Sequence, residues 1–431
     1  VSTLEVEAVK DLEVITGTFN AEYGNAMSGV VNAVTKNGSN EFHGSINTGY
    51  STYLTKNKKN NEAVFIGLDP FGINSNSDLR FNISGPIIKD RIYFFSNYRK
   101  QNINGHLNGI RRFEVWNLSD FYDQDSSKWY SENTGDSSYV PMNKGDYTSL
   151  MAKLSLNLGS IKIAGMLNQN LSISRGYNHI YKYNPDGRSY SDGNTTLLML
   201  QLNHFLNEKM FYDLKFSKTN NDYGSYVFED YNSFNILQED GIYQGVYYFA
   251  GDTIYNYVND KYMTAYGAGF FTGGQDKGHL NRTTIANNLK FDFTWQITNA
   301  HNIKTGLSRT TYELENTYHT VRNAYAGTSD ESDKYRPIVL PDSTVYSDVF
   351  FVEPKEMSFY IQDKFEKDEI VINYGLRYDA FDANTTYPSQ RRNPINSSTY
   401  YLKNSVGTDS LDANGNLIID QSRMSYPIKS N

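Results

Sequence analysis

The chain has 431 residues, a formal net charge of −8 and a mean hydropathy of −0.60. It contains no window of about 18 apolar residues and no cysteine, which excludes a transmembrane helix, a disulfide framework and a thiolate metal site. No basic block accompanies the negative charge, which argues against nucleic acid as the main partner.

Residues 1–38 differ in pattern from the rest of the chain. "LEVEAVKDLEVITG" reads as a short strand, or a helix-to-strand passage, ending at Gly17. "AEYGNAMSG" reads as a short helical turn bounded by Gly24 and Gly29. "VVNAVTKNG" reads as a strand closed by an Asn-Gly turn at Asn37 and Gly38. Together they form a small α/β piece.

From Glu41 onward one pattern recurs: two alternating segments joined by a tight turn, then a long irregular stretch. In "TIANNLKFDFTWQI", Leu289, Phe291, Phe293, Trp295 and Ile297 share one face. Asn288, Lys290, Asp292, Thr294 and Gln296 share the other, a period of two. "DLRFNISG" and "IVINYGLRYD" repeat the alternation, placing Leu79, Phe81 and Ile83, and Ile370, Ile372, Tyr374, Leu376 and Tyr378, on apolar faces. Tight turns fall at 85–90, 158–160, 206–209, 298–302 and 366–369. Long stretches run over 102–146, 221–279, 316–352 and 383–421. A compact soluble domain rarely carries several loops of more than about 15 residues. Short turns at one end and long loops at the other suit a transmembrane β-barrel, whose strands cross lipid in about 9 to 11 residues.

If Phe291, Phe293 and Trp295 look at lipid, Lys290 and Asp292 look into a lumen that is watery or holds something polar. A soluble sandwich would show the same alternation, so the loop asymmetry decides for the barrel. About eleven strands are expected, with a twelfth beginning near Met424. Plugged barrels have about 22 strands. The fold expected is therefore all-β: a partial antiparallel transmembrane barrel, 39–431, preceded by the small α/β piece, 1–38. With Val1 first and "MSYPIKSN" last, both ends are expected to continue.

"AEYGNAMSGVVNAVTKNGSNEFHGS" resembles the end of the plug and the start of the barrel in TonB-dependent outer-membrane receptors, closest to the Oar-like branch. "GPIIKDRIYFFSNY", Gly85 to Tyr98, is similar to that family's first periplasmic turn and third strand. The resemblance covers residues 12–98. It departs only in having Ser28-Gly29 where the family often has paired glycines.

The resemblance implies a plug-closed barrel in the Gram-negative outer membrane. It also implies a TonB box contacting an inner-membrane energy-transducing complex, and uptake of a bulky nutrient such as an oligosaccharide, peptide or metal chelate. A surface lipoprotein is a further candidate partner, and lipid surrounds the wall. An unplugged porin or adhesin-like barrel is the alternative, and a soluble glycan-binding module or hydrolase a third reading.

Candidate plug contacts are Glu22, Tyr23, Gly24, Gly29, Asn32 and Lys36. Glu22 either pairs with a cation of the wall or is a helix-start carboxylate favoured by the dipole. His43 has no metal-binding companion and reads as structural. "LDANGNLIID" and "NPDGRSYSDGN" only loosely echo a calcium loop and read as turns. The loop 223–271 holds ten Tyr. Tyr243, Tyr247, Tyr248, Tyr255 and Tyr257 are candidate substrate contacts, weighed evenly against a small core for the loop. No nucleophile elbow, phosphate loop or HExxH occurs, so neither catalysis nor a cofactor is expected.

Overall fold

The computed structural model describes residues 4–17, 19–24, 28–55, 65–68, 72–121, 123–229, 257–264, 269–331, 335–389, 400–405, 407–412 and 414–429. A 3-10 turn, Val6–Ala8, leads into β1 (Val9–Thr16), which pairs antiparallel with β2 (Gly29–Thr35). The main sheet then begins with β3 (His43–Ser51), β4 (Asn76–Ile88) and β5 (Ile92–Ile103). It continues through β6 (Lys144–Leu158), β7 (Ile161–Arg175), β8 (Tyr190–Asn207), β9 (Met210–Tyr226), β10 (Gly278–Gln296) and β11 (His301–Thr320). It ends with β12 (Ser347–Val352), β13 (Lys355–Lys367) and β14 (Ile370–Asp382).

Within the sheet, consecutive strands pair antiparallel except β12 with β13, and among the described residues the sheet is not closed. β12 and β13 both pair with β11, one above the other, so the twelve strands make eleven staves. The break between them is Glu353-Pro354, where the proline cannot donate to the ladder. Its carbonyl still accepts from Tyr312 N at 2.9 Å. The segment near Met424 does not join the wall. Pro427–Lys429 pairs with Thr386–Pro388 in a separate ribbon above β14.

The alternation sorts side chains as the lipid argument requires. Leu289, Phe291 and Trp295 are exposed on the outer face, and Leu376 on β14 is 77 % exposed. Asp292 on the opposite face is 6 % exposed. There it accepts a 2.6 Å bond from the Tyr360 hydroxyl and pairs with Lys290 at 3.1 Å.

The strands run longer than a bilayer requires, to 19 and 20 residues in β10 and β11. Their upper halves carry the loops away from lipid. Segments 104–143, 176–189 and 257–277 pack on one another around Phe113, Met142, Tyr181, Tyr257, Val258 and Met263, all buried. Cross-loop backbone bonds tie them, such as Ile110 N to Lys182 O at 2.8 Å and Phe271 N to Ile180 O at 2.8 Å. The two calcium-loop echoes contain turns, one beginning at Asn184 in this region and the other at Asp412, outside it. Asp412 spends one carboxylate oxygen on the N–H groups of Asn414 and Asn416, and Pro185–Gly187 is a 3-10 turn.

The Asn37-Gly38 turn expected after β2 does not form. The chain runs extended there and crosses the inner face of β4 and β5 so closely that a Cβ on Gly38 would lie 2.8 Å from the Gly85 carbonyl oxygen. Glycine serves close approach at this position, not reversal. The helical turn expected in "AEYGNAMSG" is, among the described residues, a single turn closed by Tyr23 N to Asn20 O at 3.0 Å.

Candidate functional site: the N-terminal segment against the wall

The segment before β3 meets the inner face of the wall at two places far apart around it. The first is at β11, β13 and β14. Glu22 forms an ion pair with Lys304. Its backbone N–H donates to the Gln362 side chain at 3.1 Å. Arg377 donates to the carbonyl oxygens of Ala21 at 3.3 Å and Glu22 at 3.1 Å, while Asp379 holds its other side at 2.8 Å. Register explains the convergence, since Lys304 lies opposite Gln362 and Tyr360 opposite Arg377. A Cβ on Gly24 would sit 2.5 Å from the Arg377 Cζ, so any larger residue has to displace the guanidinium. Behind this contact a polar cavity of about 170 Å³ is lined by Glu22, Gly24, Lys290, Glu356, Tyr360 and Arg377.

The second contact is at β4 and β5. Glu7 pairs with Arg80 at 2.7 Å and Glu5 with Arg99 at 3.1 Å. Asp78 joins the two guanidiniums at 2.8 Å each. The hydrogen bond from Arg80 holds the Glu7 carboxyl below its ordinary range. Beside these charges Ala8 is wholly buried against Phe95, Met151 and Met166, with Leu4, Leu197 and Met199 around them. The inner face therefore carries an apolar patch that simple alternation missed, because Met151 and Met166 fall on the face expected to be polar. Lys153 on the same face donates to Thr35 at 2.8 Å.

The other motif residues differ in surroundings. Burial and the neighbouring Glu22 push the Tyr23 hydroxyl up. Gly29 opens β2 opposite Thr16. Asn32 donates to Glu13 of β1 at 3.4 Å, and the Lys36 side chain is exposed while its N–H bonds to Ala8 O at 2.8 Å. Glu5 and Glu7 went unnoticed in the sequence, although their spacing of two matches that of Asp78 and Arg80. Tyr243, Tyr247, Tyr248 and Tyr255 lie outside the described residues. Tyr257 is buried edge-on to Phe228, so its ring packs within the loops and offers no open surface. His43 is exposed near Glu41, and no group of three or more His, Cys, Asp or Glu among the described residues could hold a metal ion.

No protein-family model matches the chain. Two curated proteins do. The TonB-dependent transporter Oar of Myxococcus xanthus is 35 % identical over 99 residues, which is 22 % of this chain and 9 % of Oar. The probable TonB-dependent siderophore receptor PirA of Acinetobacter baumannii is 35 % identical over 97 residues, 22 % of this chain and 11 % of PirA. Among solved structures, the outer-membrane transporter YddB of Escherichia coli superposes over 88 % of this chain and 44 % of its own, with TM-score 0.54 and 11 % identity. Over these residues the chain is similar to TonB-dependent receptors.

The chain also superposes on the pyoverdine-bound FpvA of Pseudomonas aeruginosa, over 87 % of this chain and 42 % of that one, at TM-score 0.50 and 12 % identity. It spans less than half the length of these solved relatives. The curated relatives are named as a TonB-dependent transporter and a TonB-dependent receptor, and the fold shared with the outer-membrane transporter is that of an antiparallel β-barrel wall.

Proposed function

We propose that the receptor takes up a bulky nutrient across the outer membrane under power from a TonB complex. In this reading residues 1–38 are the end of the plug and 39–431 the first part of the barrel, with Glu22, Tyr23, Gly24, Gly29, Asn32 and Lys36 in the plug–wall boundary. The observation that carries it is the N-terminal segment held on the polar inner face by a few separate ion pairs at different staves. A part held this way stays in place at rest and moves under load. The family resemblance puts the TonB box N-terminal to the plug's end. PirA is named as a probable siderophore receptor and FpvA is described in complex with a pyoverdine and iron, so an iron chelate stands beside an oligosaccharide or peptide as substrate class.

The test is accumulation of candidate ferric chelates, glycans and peptides by cells making the full-length protein, with and without active TonB. The expected result is uptake of one class that stops when TonB is removed. Permeation unchanged without TonB would overturn the proposal and favour an unplugged pore.

A further inference from the structure

The face of the wall that meets lipid lower down is covered at the loop end. Lys277 and Val321 continue the β10–β11 ladder one rung past Gly278 and Thr320, with the Val321 N–H donating to the Lys277 carbonyl oxygen at 2.9 Å. Register is unbroken from there to Gln296 and Asn302. Lys277 therefore shares its side of the sheet with His279, Leu289, Phe291 and Trp295, and not with the lumen-facing Asp292. Leu289 is 50 % exposed on that side, whereas His279 and Val321 are each 1 % exposed. From Leu289 to Lys277 the strand rises about 40 Å along its length, which carries Lys277 well beyond the lipid headgroups.

On this outer flank a cavity of about 490 Å³ opens between the 3-10 turn Asp260–Tyr262 and the loop that follows β11. Its size is that of a small-molecule site. Lys277 and Val321 line it from the strand ends, and Ala326, Thr328 and Ser329 form an exposed rim. The charges are Lys261, Lys277 and Arg322 against Asp260 and Glu331, an excess of one positive. Lys277, its side chain 10 % exposed, pairs with Asp260, and Glu331 accepts from the Gly327 N–H at 2.8 Å. Arg322 lies over the Tyr346 ring with its Cζ 4.4 Å from the centroid. A guanidinium stacked in this way keeps its edge for a forked bond to a carboxylate. Burial pushes the Lys277 ammonium down despite Asp260, so a further anion in the cavity is favoured beside it.

The remaining lining is neutral and hydrogen-bonding, with Asn259 and Asn323 adding amides to the hydroxyls of the rim. Tyr335 lines the same cavity, and its hydroxyl is buried with no hydrogen-bond partner among the described residues. A monoanion rich in hydroxyl groups matches this set. Its carboxylate meets Arg322, its hydroxyls meet the amides and the rim, and the apolar face of its ring meets Tyr335 and Val321. We propose that this cavity binds a single carboxylate-bearing sugar residue of an extracellular glycan, outside the path through the lumen. The site does not rest on the uptake reading, and the failure of either leaves the other standing.

The full-length protein in detergent micelles is titrated calorimetrically with methyl glucuronide, with methyl glucoside, which keeps the ring but lacks the carboxylate, and with acetate, which lacks the ring. Saturable binding of the glucuronide is expected, about tenfold tighter than of either other probe and weakening with salt. Equal binding of the glucoside or of acetate, or no saturable binding of the glucuronide, would overturn the proposal. Arg322→Gln should lose about tenfold in affinity and Arg322→Lys less, while Lys128→Gln, an exposed loop cation outside the cavity, should match the parent. Unchanged affinity in Arg322→Gln would also overturn it. If that variant fails to fold, Ala326→Trp at the exposed rim decides, because a ring there fills the mouth of the cavity. Loss of glucuronide binding is expected, and retained binding counts against the site.

Discussion

Glu22 fixes the segment through its side chain to Lys304, its N–H to Gln362 and its carbonyl oxygen to Arg377. Removing the carboxylate with Glu22→Gln leaves the two backbone links. The coupling energy with Lys304→Met, from a double-mutant cycle on urea unfolding, is expected at about 1 kcal/mol or less. Gly24→Ala should act more strongly, because its Cβ displaces Arg377 and with it both carbonyl contacts. Raised sensitivity of intact cells to large antibiotics reads this out. Glu7 gives a pH test. Its carboxyl is held below the ordinary value of 4.5 by Arg80, so its contribution is complete above that value and is lost as pH falls through the lowered one. Protease cleavage within residues 4–17 should therefore rise below about pH 4 in the native protein, with a smaller change in Glu7→Gln. The Glu22 motif was readable in the sequence, but its partners were not. They lie hundreds of residues away, and only strand register brings Lys304, Gln362 and Arg377 to one point.

At the scale of elements, period two was legible wherever lipid enforces it, as in Leu289 to Ile297 and Ile370 to Tyr378. It fails as a guide where polar residues occupy both faces. The upper halves of β10 and β11 are such stretches, so their true length could not be read. It also mistook the inner face near Met151 and Met166, because burial under Ala8 rewards apolar side chains there. Tyr360 links elements directly, reaching across β11 to the buried Asp292 on β10. Tyr360→Phe removes that donor and leaves the carboxylate with Lys290, for an expected loss of about 1 to 3 kcal/mol in urea unfolding of the refolded protein. An unchanged midpoint would mean that water replaces the hydroxyl.

For the whole molecule, the eleven staves leave β3 and β14 each with one edge unpaired by the described residues. Open edges in hydrocarbon forfeit several kcal/mol for every unsatisfied backbone group. Residues 1–431 produced alone are therefore expected to aggregate or associate edge to edge. They should lack the heat-dependent shift in gel mobility that marks a closed barrel. A monomer showing that shift would require a second way of covering the edges.

The two attachments of the N-terminal segment, at β4–β5 and at β11–β14, lie in series along the chain. A tug arriving from its N-terminal side loads Glu5 and Glu7 before any tension reaches Glu22. The fastening then peels one tooth at a time, and the force needed is that of the hardest single tooth rather than of the whole row.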